Sequence, residues 1–182
     1  QRALASTRLQ RAKPDCIVRV HANTLSDARN RAAEETRTRY IVYCDADDSL
    51  DPNYISEMLE CGGDVRVPFV RRIPSGKSIE DTPVERLRPK SLLKGNHIVI
   101  GAMVECKRLL HLGGFRELPA LEDWDLWIRF WLDGAEMGYS NAIYNVYLNP
   151  DGRNRKNGGH SIELFNRIVS EYASLAKARG LH

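Results

Sequence analysis

The chain has 182 residues, of which 42% are hydrophobic and 28% charged, and its formal net charge is +3. This length and composition are typical of one globular domain with a sizeable core. So small a charge does not indicate nucleic-acid binding, and no apolar run has the length needed to cross a bilayer.

The four cysteines, Cys16, Cys44, Cys61 and Cys106, include no CxxC pair. Most lie in or beside apolar segments, where a thiol behaves as a small hydrophobic group. We therefore expect free thiols rather than a disulfide framework or a zinc site. Free thiols indicate a reducing compartment, and we expect the protein to be cytoplasmic.

The first half of the chain predicts helices that alternate with strands. Helices are predicted at residues 1–12, 24–36 and 51–61, and strands at residues 16–20 and 40–44. Thr24 or Ser26 is suited to cap the second helix, and Asp51 followed by Pro52 is suited to start the third. The apolar run 40–44 ends in turn-forming residues, which is typical of a buried parallel strand.

The second half continues the alternation after a proline-rich loop at 72–90. Strands are predicted at residues 64–71, 97–106 and 136–148, and helices at residues 121–133 and 161–179, the last capped by Ser161. Gly113 and Gly114 form a turn, and the polar, basic segment 151–159 is predicted to be mobile. The pattern indicates a single α/β domain with a mostly parallel central sheet flanked by helices.

Three carboxylates, Asp45, Asp47 and Asp48, follow the strand predicted at 40–44. Ligands bind just past the carboxyl ends of strands in open α/β sheets. Mg²⁺ takes one or two carboxylates together with substrate phosphates, and such an ion removes the repulsion within the cluster. The hypothesis is a metal–phosphate site at Asp45 and Asp47. The alternative is a solvated acidic turn, since Asp and Ser are also good loop and cap residues.

A second acidic cluster, Glu122, Asp123 and Asp125, opens the helix predicted at 121–133. Acids in a first turn are favourable with the helix dipole, so a purely structural role is the alternative. Trp124 and Trp127 lie beside them, and aromatic side chains commonly line ligand pockets. A carboxylate in such a wall can act as a general base. We expect one tryptophan to face the pocket and the other the core.

Four motifs in order carry a resemblance to a known family: ARN at 28–30, YIVYCDADD at 40–48, GGF at 113–115 and EDWDLWIRF at 122–130. Together they resemble a family 2 glycosyltransferase of the GT-A fold, over roughly residues 1–148. The family's first strand, with its proline-and-tyrosine turn at the nucleotide base, has no counterpart here. The segment 21–27 is also short, and Ala32 stands where the family often has glycine.

The resemblance implies a role for particular residues. Asp45 and Asp47 would bind Mn²⁺ or Mg²⁺ and the diphosphate of a nucleotide-sugar, and Asp123 would deprotonate the acceptor hydroxyl. Glu122 would position the helix start or bind acceptor hydroxyls. The donor-binding residues would be Arg29, Asn30, Asp45, Asp47, Trp124 and His160. The basic tail, Arg153, Arg155, Lys156 and His160, would close over the phosphates, unless it is only a solvated loop.

The implied activity is metal-dependent transfer of a sugar, with inversion at the anomeric carbon. Residues 1–95 would bind the nucleotide-sugar and metal, 96–150 would bind the acceptor and supply the base, and 151–182 would add the basic loop and a C-terminal helix. The acceptor could be a glycan, a lipid-linked sugar, a protein or a nucleic-acid base. Two alternatives remain. One is a haloacid-dehalogenase-type phosphatase built on Asp45 and Asp47, and the other is a non-catalytic sugar-binding or assembly module.

Overall fold

The computed structural model describes residues 2–86, 92–149 and 158–180. Its helices are α1 (Arg2–Arg8), α2 (Leu25–Glu35), α3 (Tyr54–Glu60), α4 (Cys106–His111), α5 (Glu122–Leu132) and α6 (Gly158–Ala178), with a 3₁₀ turn at Leu92–Lys94. Its strands are β1 (Tyr40–Ile41), β2 (Ser49–Leu50), β3 (Val65–Ile73), β4 (Met103–Glu105) and β5 (Met137–Tyr147). The α/β class predicted from the sequence is confirmed.

The five strands form one sheet in the order β1-β4-β3-β5-β2. The long pairing at its centre, β3 with β5, is parallel and registers eight residue pairs. The pairings of β1 with β4, β2 with β5 and β3 with β4 are antiparallel and register two residue pairs each. The sheet is therefore mixed rather than mostly parallel, because short strands running the other way flank the parallel centre.

Three predicted strands differ from those observed. Residues 16–20 form no strand: Cys16 and Ile17 are exposed, and the segment is not part of the sheet described. The segment 40–44 supplies only the two-residue β1, which is antiparallel and lies at the sheet edge. The predicted strand at 97–106 is reduced to β4, because turns occupy the chain before it.

Helix starts were predicted with mixed success. Thr24 does cap α2, since its hydroxyl accepts a hydrogen bond from the N–H of Asp27 at 3.2 Å. Asp51 does not cap α3, because its carboxylate accepts hydrogen bonds from side chains on the sheet instead. Helix α6 begins at Gly158, so Ser161 lies inside it rather than at its cap.

Helix α5 is the centre of the core, as its apolar composition predicts. Trp124 and Trp127 have no exposed surface, and their indole N–H groups donate to the carbonyls of Leu92 and Ile98 at 2.8 and 3.0 Å. Phe165 of α6 stacks on Trp124 with ring centres 4.8 Å apart. The expectation that one tryptophan faces a ligand pocket is therefore wrong: packing against α6 and the chain at 92–98 buries both.

The four cysteines all lie in the described part of the chain, and no disulfide links them. Burial raises the pKa of the Cys44 thiol to about 12, with nearby Asp48 adding to the effect, so this thiol stays protonated. Among the helices described, none combines the length and apolar character that a membrane span requires.

Candidate active site

Arg29 joins the two acidic clusters that the sequence places far apart. One guanidinium nitrogen lies 2.7 Å from Oε1 of Glu122, and another lies 3.1 Å from Oδ1 of Asp45. The arginine is only 7% exposed. Burial by itself would lower the pKa of Arg29, but the charges of Asp45 and Glu122 outweigh burial and raise it. Arg29 is thus a fixed cation between the clusters.

Asn30, the next residue of the ARN motif, holds the glycine turn instead of facing open space. Its amide nitrogen donates to the carbonyl of Phe115 at 2.9 Å, and its amide oxygen accepts from the N–H of Phe115 at 2.7 Å. Gly114 has φ +64°, and a Cβ there would lie 2.3 Å from the Asn30 oxygen. Only glycine therefore fits this position, and the ARN and GGF motifs form one structural unit.

The acids of the carboxylate turn, residues 45–48, point in different directions. Asp47 is exposed, and its carboxylate has no hydrogen bond or ion pair with a described residue. Asp48 is 6% exposed, and its Oδ1 accepts from the N–H of Tyr147 at 3.1 Å. Burial raises the pKa of Asp48 to about 6. Among the described residues the Asp47 carboxylate thus has no partner, the Asp45 carboxylate is paired with Arg29, and Asp48 is an internal anchor.

The acidic helix start, residues 122–125, begins at a strained residue. Leu121 precedes it with φ +61°, a left-handed conformation that is unusual for a bulky side chain and that concentrates at functional sites. Asp123 is partly buried, and its Oδ1 accepts from the N–H of Trp124 at 2.8 Å and from the amide of Asn96 at 3.0 Å. Its Oδ2 has no partner among the described residues.

The pKa of Asp123 is raised to about 6. Burial is the main cause and the charge of Glu122 adds to it, while Arg29 and the hydrogen bonds from Trp124 and Asn96 act in the opposite direction. A carboxyl group with this pKa is ionised at neutral pH and still binds a proton readily, which suits a general base.

Asp125, the third acid of this helix start, faces the interior. It has no exposed surface, and its carboxylate contacts Tyr172 Oη at 2.7 Å, Arg129 Nε at 2.9 Å and Arg116 at 3.2 Å. Arg129 also donates to the carbonyls of Leu112 and Gly114. Asp125 therefore ties α5 to α6 and to the glycine turn.

An open cleft of about 360 Å³ lies beside these acids, between residues 23–26 and 117–119. Glu122 forms part of its wall, and the other described lining residues include Asn23, Ser26 and Glu117 but no cation. Leu25, Leu118 and Pro119 also line it, so the cleft combines two carboxylates with apolar side chains.

Some of the residues expected to bind the donor do not face this site. Trp124 is fully buried, so its assignment as a donor-binding residue is wrong. Arg153, Arg155 and Lys156 lie outside the described residues, as does the side chain of His160. No group of three or more His, Cys, Asp or Glu side chains that could hold a metal occurs among the described residues. A cation at Asp45 and Asp47 would therefore take its other ligands from water and phosphate.

Sequence reasoning missed Asn96 and Tyr144. Asn96 contacts Asp123, and the Tyr144 hydroxyl accepts a hydrogen bond from the N–H of Asp45 at 3.1 Å. Neither belongs to a recognisable motif, so no signal in the sequence pointed to them. They were found through their contacts alone.

This chain is similar to known proteins in part of its sequence and in its fold. Residues 2–64 match the model of glycosyl transferase family 2. A crystal structure of TarS 1–349 from S. aureus is similar in fold at 14% identity and a TM-score of 0.48, over 88% of this chain and 53% of that one. This chain thus spans about half the length of that structure. No curated protein has a sequence that matches this chain.

The matched segment contains the ARN motif and the carboxylate turn, two of the four motifs that carried the resemblance. The match favours a glycosyltransferase over the phosphatase alternative. Residues 2–64 are thus similar to a segment of the glycosyl transferase family 2.

Proposed function

We propose that this chain carries the catalytic site of an inverting, metal-dependent glycosyltransferase that uses a nucleotide-diphospho-sugar. The observation that carries the proposal is the Arg29 bridge, with 2.7 Å to Glu122 and 3.1 Å to Asp45. Transfer needs a donor site next to an acceptor site, and Arg29 connects the two proposed sites by contacting Asp45, 16 residues on, and Glu122, 93 residues on.

Asp45 and Asp47 are the residues that would hold Mn²⁺ or Mg²⁺. The side chain of Asp45 is 37% exposed although it is paired with Arg29, and Asp47 is exposed, so a cation could approach both carboxylates from solvent. Two carboxylates completed by water and a diphosphate are a usual ligand set for Mg²⁺. The ion would supply positive charge to the leaving diphosphate.

Asp123 is proposed as the general base, with Oδ2 as the proton-accepting atom. Two donors, Trp124 N–H and Asn96, hold Oδ1 and thereby orient the carboxylate. The Asp123 carboxylate would take the proton of the acceptor hydroxyl as that oxygen attacks the anomeric carbon from the face opposite the diphosphate. One carboxylate base together with one metal site predicts inversion at the anomeric carbon.

Glu122 is proposed to position rather than to deprotonate, because its carboxylate is paired with Arg29. It also lines the cleft beside the site, where the hydroxyl groups of an acceptor would find hydrogen-bond partners in Glu122, Glu117 and Asn23. The acceptor itself, whether a glycan, a lipid-linked sugar, a protein or a base, is left to experiment.

The first test measures binding of nucleoside diphosphates with and without Mn²⁺ by calorimetry. Asp47→Asn removes one proposed ligand without changing size, and should weaken Mn²⁺-dependent binding by more than the roughly 10–100-fold typical of outer-shell changes. Asp81→Asn is the matched control, since Asp81 is an exposed acid on another loop. Equal affinities of the two variants would exclude the metal site at Asp47.

A second measurement separates the possible activities. With a nucleotide-sugar and Mn²⁺, a transferase slowly releases free sugar and nucleoside diphosphate. A phosphatase releases inorganic phosphate, and a non-catalytic module releases neither. Release of phosphate alone, or no release with any nucleotide-sugar, would contradict the proposal.

A further inference from the structure

We propose that Tyr144, on strand β5, is a positioning residue that fixes the orientation of the carboxylate turn at 45–48. This inference rests on the proposed function, because it assigns the turn's orientation to a residue that touches neither substrate nor metal. Tyr144 lies 99 residues from Asp45 in the sequence, and no motif contains it.

The turn is attached to strand β5 at two points, Tyr144 and Tyr147. The backbone N–H of Asp45 donates to the Tyr144 hydroxyl at 3.1 Å, and the Asp48 carboxylate accepts from the N–H of Tyr147 at 3.1 Å. The N–H of Asp48 donates to the carbonyl of Asp45 at 2.9 Å and closes the turn.

The segment that follows the turn is held on the same strand. Leu50 of β2 is registered opposite Tyr144 in the antiparallel pairing with β5. The carboxylate of Asp51 accepts from the Asn145 amide at 2.7 Å, and its N–H donates to the carbonyl of Ile143. Strand β5 therefore holds this segment at Asp45, Asp48, Leu50 and Asp51, and Tyr144 holds the end where the proposed metal ligands lie.

Tyr144 is itself rigidly placed, as a positioning residue must be. It has no exposed surface, and its ring packs edge-on against Tyr54 with ring centres 6.3 Å apart. A Cβ on Gly101 would lie 2.2 Å from a Tyr144 ring carbon, so only glycine leaves room for the ring. The hydroxyl thus has one location, fixed by packing, before any ligand arrives.

The consequence is preorganisation of the turn. Holding two carboxylates close together is unfavourable because their charges repel. The hydrogen bonds to β5 offset this repulsion when the chain folds, before a ligand binds. Without the Tyr144 hydroxyl, the Asp45 N–H loses its partner and the turn can move. A cation or diphosphate would then have to order the turn on binding, which lowers its apparent affinity.

The test compares Tyr144→Phe with Tyr54→Phe. Each deletes one hydroxyl from a fully buried tyrosine of the same core, but the Tyr54 hydroxyl donates to the carbonyl of Gly101 at 2.7 Å and not to the turn. We expect the two variants to lose comparable thermal stability. Metal-free amide exchange of the ¹⁵N-labelled protein should be about tenfold faster at Asp45 in Tyr144→Phe only.

The second readout is the Mn²⁺ affinity with a nucleoside diphosphate, followed through the electron paramagnetic resonance signal of free Mn²⁺. Tyr144→Phe should bind roughly tenfold more weakly, as expected for an outer-shell partner, while Tyr54→Phe should bind like the unsubstituted protein. Equal Asp45 exchange in the two variants, or equal Mn²⁺ affinity, would overturn the inference. If the unsubstituted protein binds no Mn²⁺ with any nucleoside diphosphate, the proposed function fails as well.

Discussion

The carboxylate turn and the acidic helix start are similar in how their three acids are placed, but different groups hold the buried acid of each. Each has one acid that contacts Arg29, one that faces the interior and one that remains accessible. In the turn these are Asp45, Asp48 and Asp47, and in the helix start they are Glu122, Asp125 and Asp123. Each cluster therefore consists of three acids with different surroundings, and Arg29 connects the two clusters.

The difference lies in what holds the inward-facing acid. Asp48 is held by uncharged groups on β5, and burial raises its pKa to about 6. Asp125 lies between Arg116 and Arg129, whose positive charges compensate its own. Asp125 therefore has two cations and the Tyr172 hydroxyl as partners, whereas Asp48 has no cation among the described residues, and Tyr144 holds the same turn through the N–H of Asp45.

The largest expected effect concerns the accessible acid of the helix start. Asp123→Asn keeps the size and the contact with Asn96 but cannot accept a proton usefully. It should retain Mn²⁺-dependent donor binding and lose transfer by a factor on the order of 10²–10⁴. Turnover with saturating donor measures this, once an acceptor is in hand.

Glu122→Gln is the matched control for that experiment. It is also nearly isosteric, and it weakens the ion pair with Arg29 without touching the proposed base. We expect a smaller loss of turnover. If Glu122→Gln is inactive while Asp123→Asn still turns over, the base is Glu122 and the roles within the helix start are exchanged.

The next effect concerns the inward-facing acid, Asp125. Asp125→Asn leaves Arg116 and Arg129 without their buried carboxylate, and breaking a buried ion pair typically costs about 3–5 kcal/mol of unfolding free energy. Asp133→Asn is the control, because Asp133 pairs with Arg108 at the surface, where such a pair is worth about 0–1 kcal/mol.

Chemical denaturation followed by tryptophan fluorescence measures both variants, since Trp124 and Trp127 lie in the same helix. A loss for Asp125→Asn no larger than that for Asp133→Asn would mean that charge compensation is not what anchors the helix start. The contrast with the uncharged anchor of the turn would then disappear.

The smallest effect concerns the orientation of Asp123. Its carboxylate form is the active one, so turnover should fall as the pH drops below about 6, the pKa to which burial raises this group. The Asn96 hydrogen bond lowers that pKa, so Asn96→Ala should move the acid limb of the pH–rate profile to higher pH.

Asn166→Ala, an exposed asparagine on α6, is the control and should leave the acid limb in place. Glu122 and Arg29 also face Asp123, and both stay unchanged in these variants. An acid limb that does not move in Asn96→Ala would remove Asn96 from the site and leave Trp124 N–H as the donor that orients Oδ1.

Helices were predicted better than strands, for a physical reason. Helix α5 follows from an apolar pattern within its own eleven residues, and Thr24 caps α2 within one turn. A short strand instead exists only if a partner lies beside it. Residues 16–20 have the composition of a strand but are not paired with any strand described. The segment 40–44 is paired with β4 along only two residues.

The sequence by itself determined which chemical groups are available. It contains the four motifs in order, the two acidic clusters, and the apolar helix that begins at the second cluster. Those features are local, because a motif and a helical period are read within a few residues. Only the tertiary structure decided which carboxylate points inward, that both tryptophans are core residues, and that Arg29 joins Asp45 to Glu122. These outcomes depend on partners 16 to 99 residues apart, and the sheet register and core packing bring such partners together.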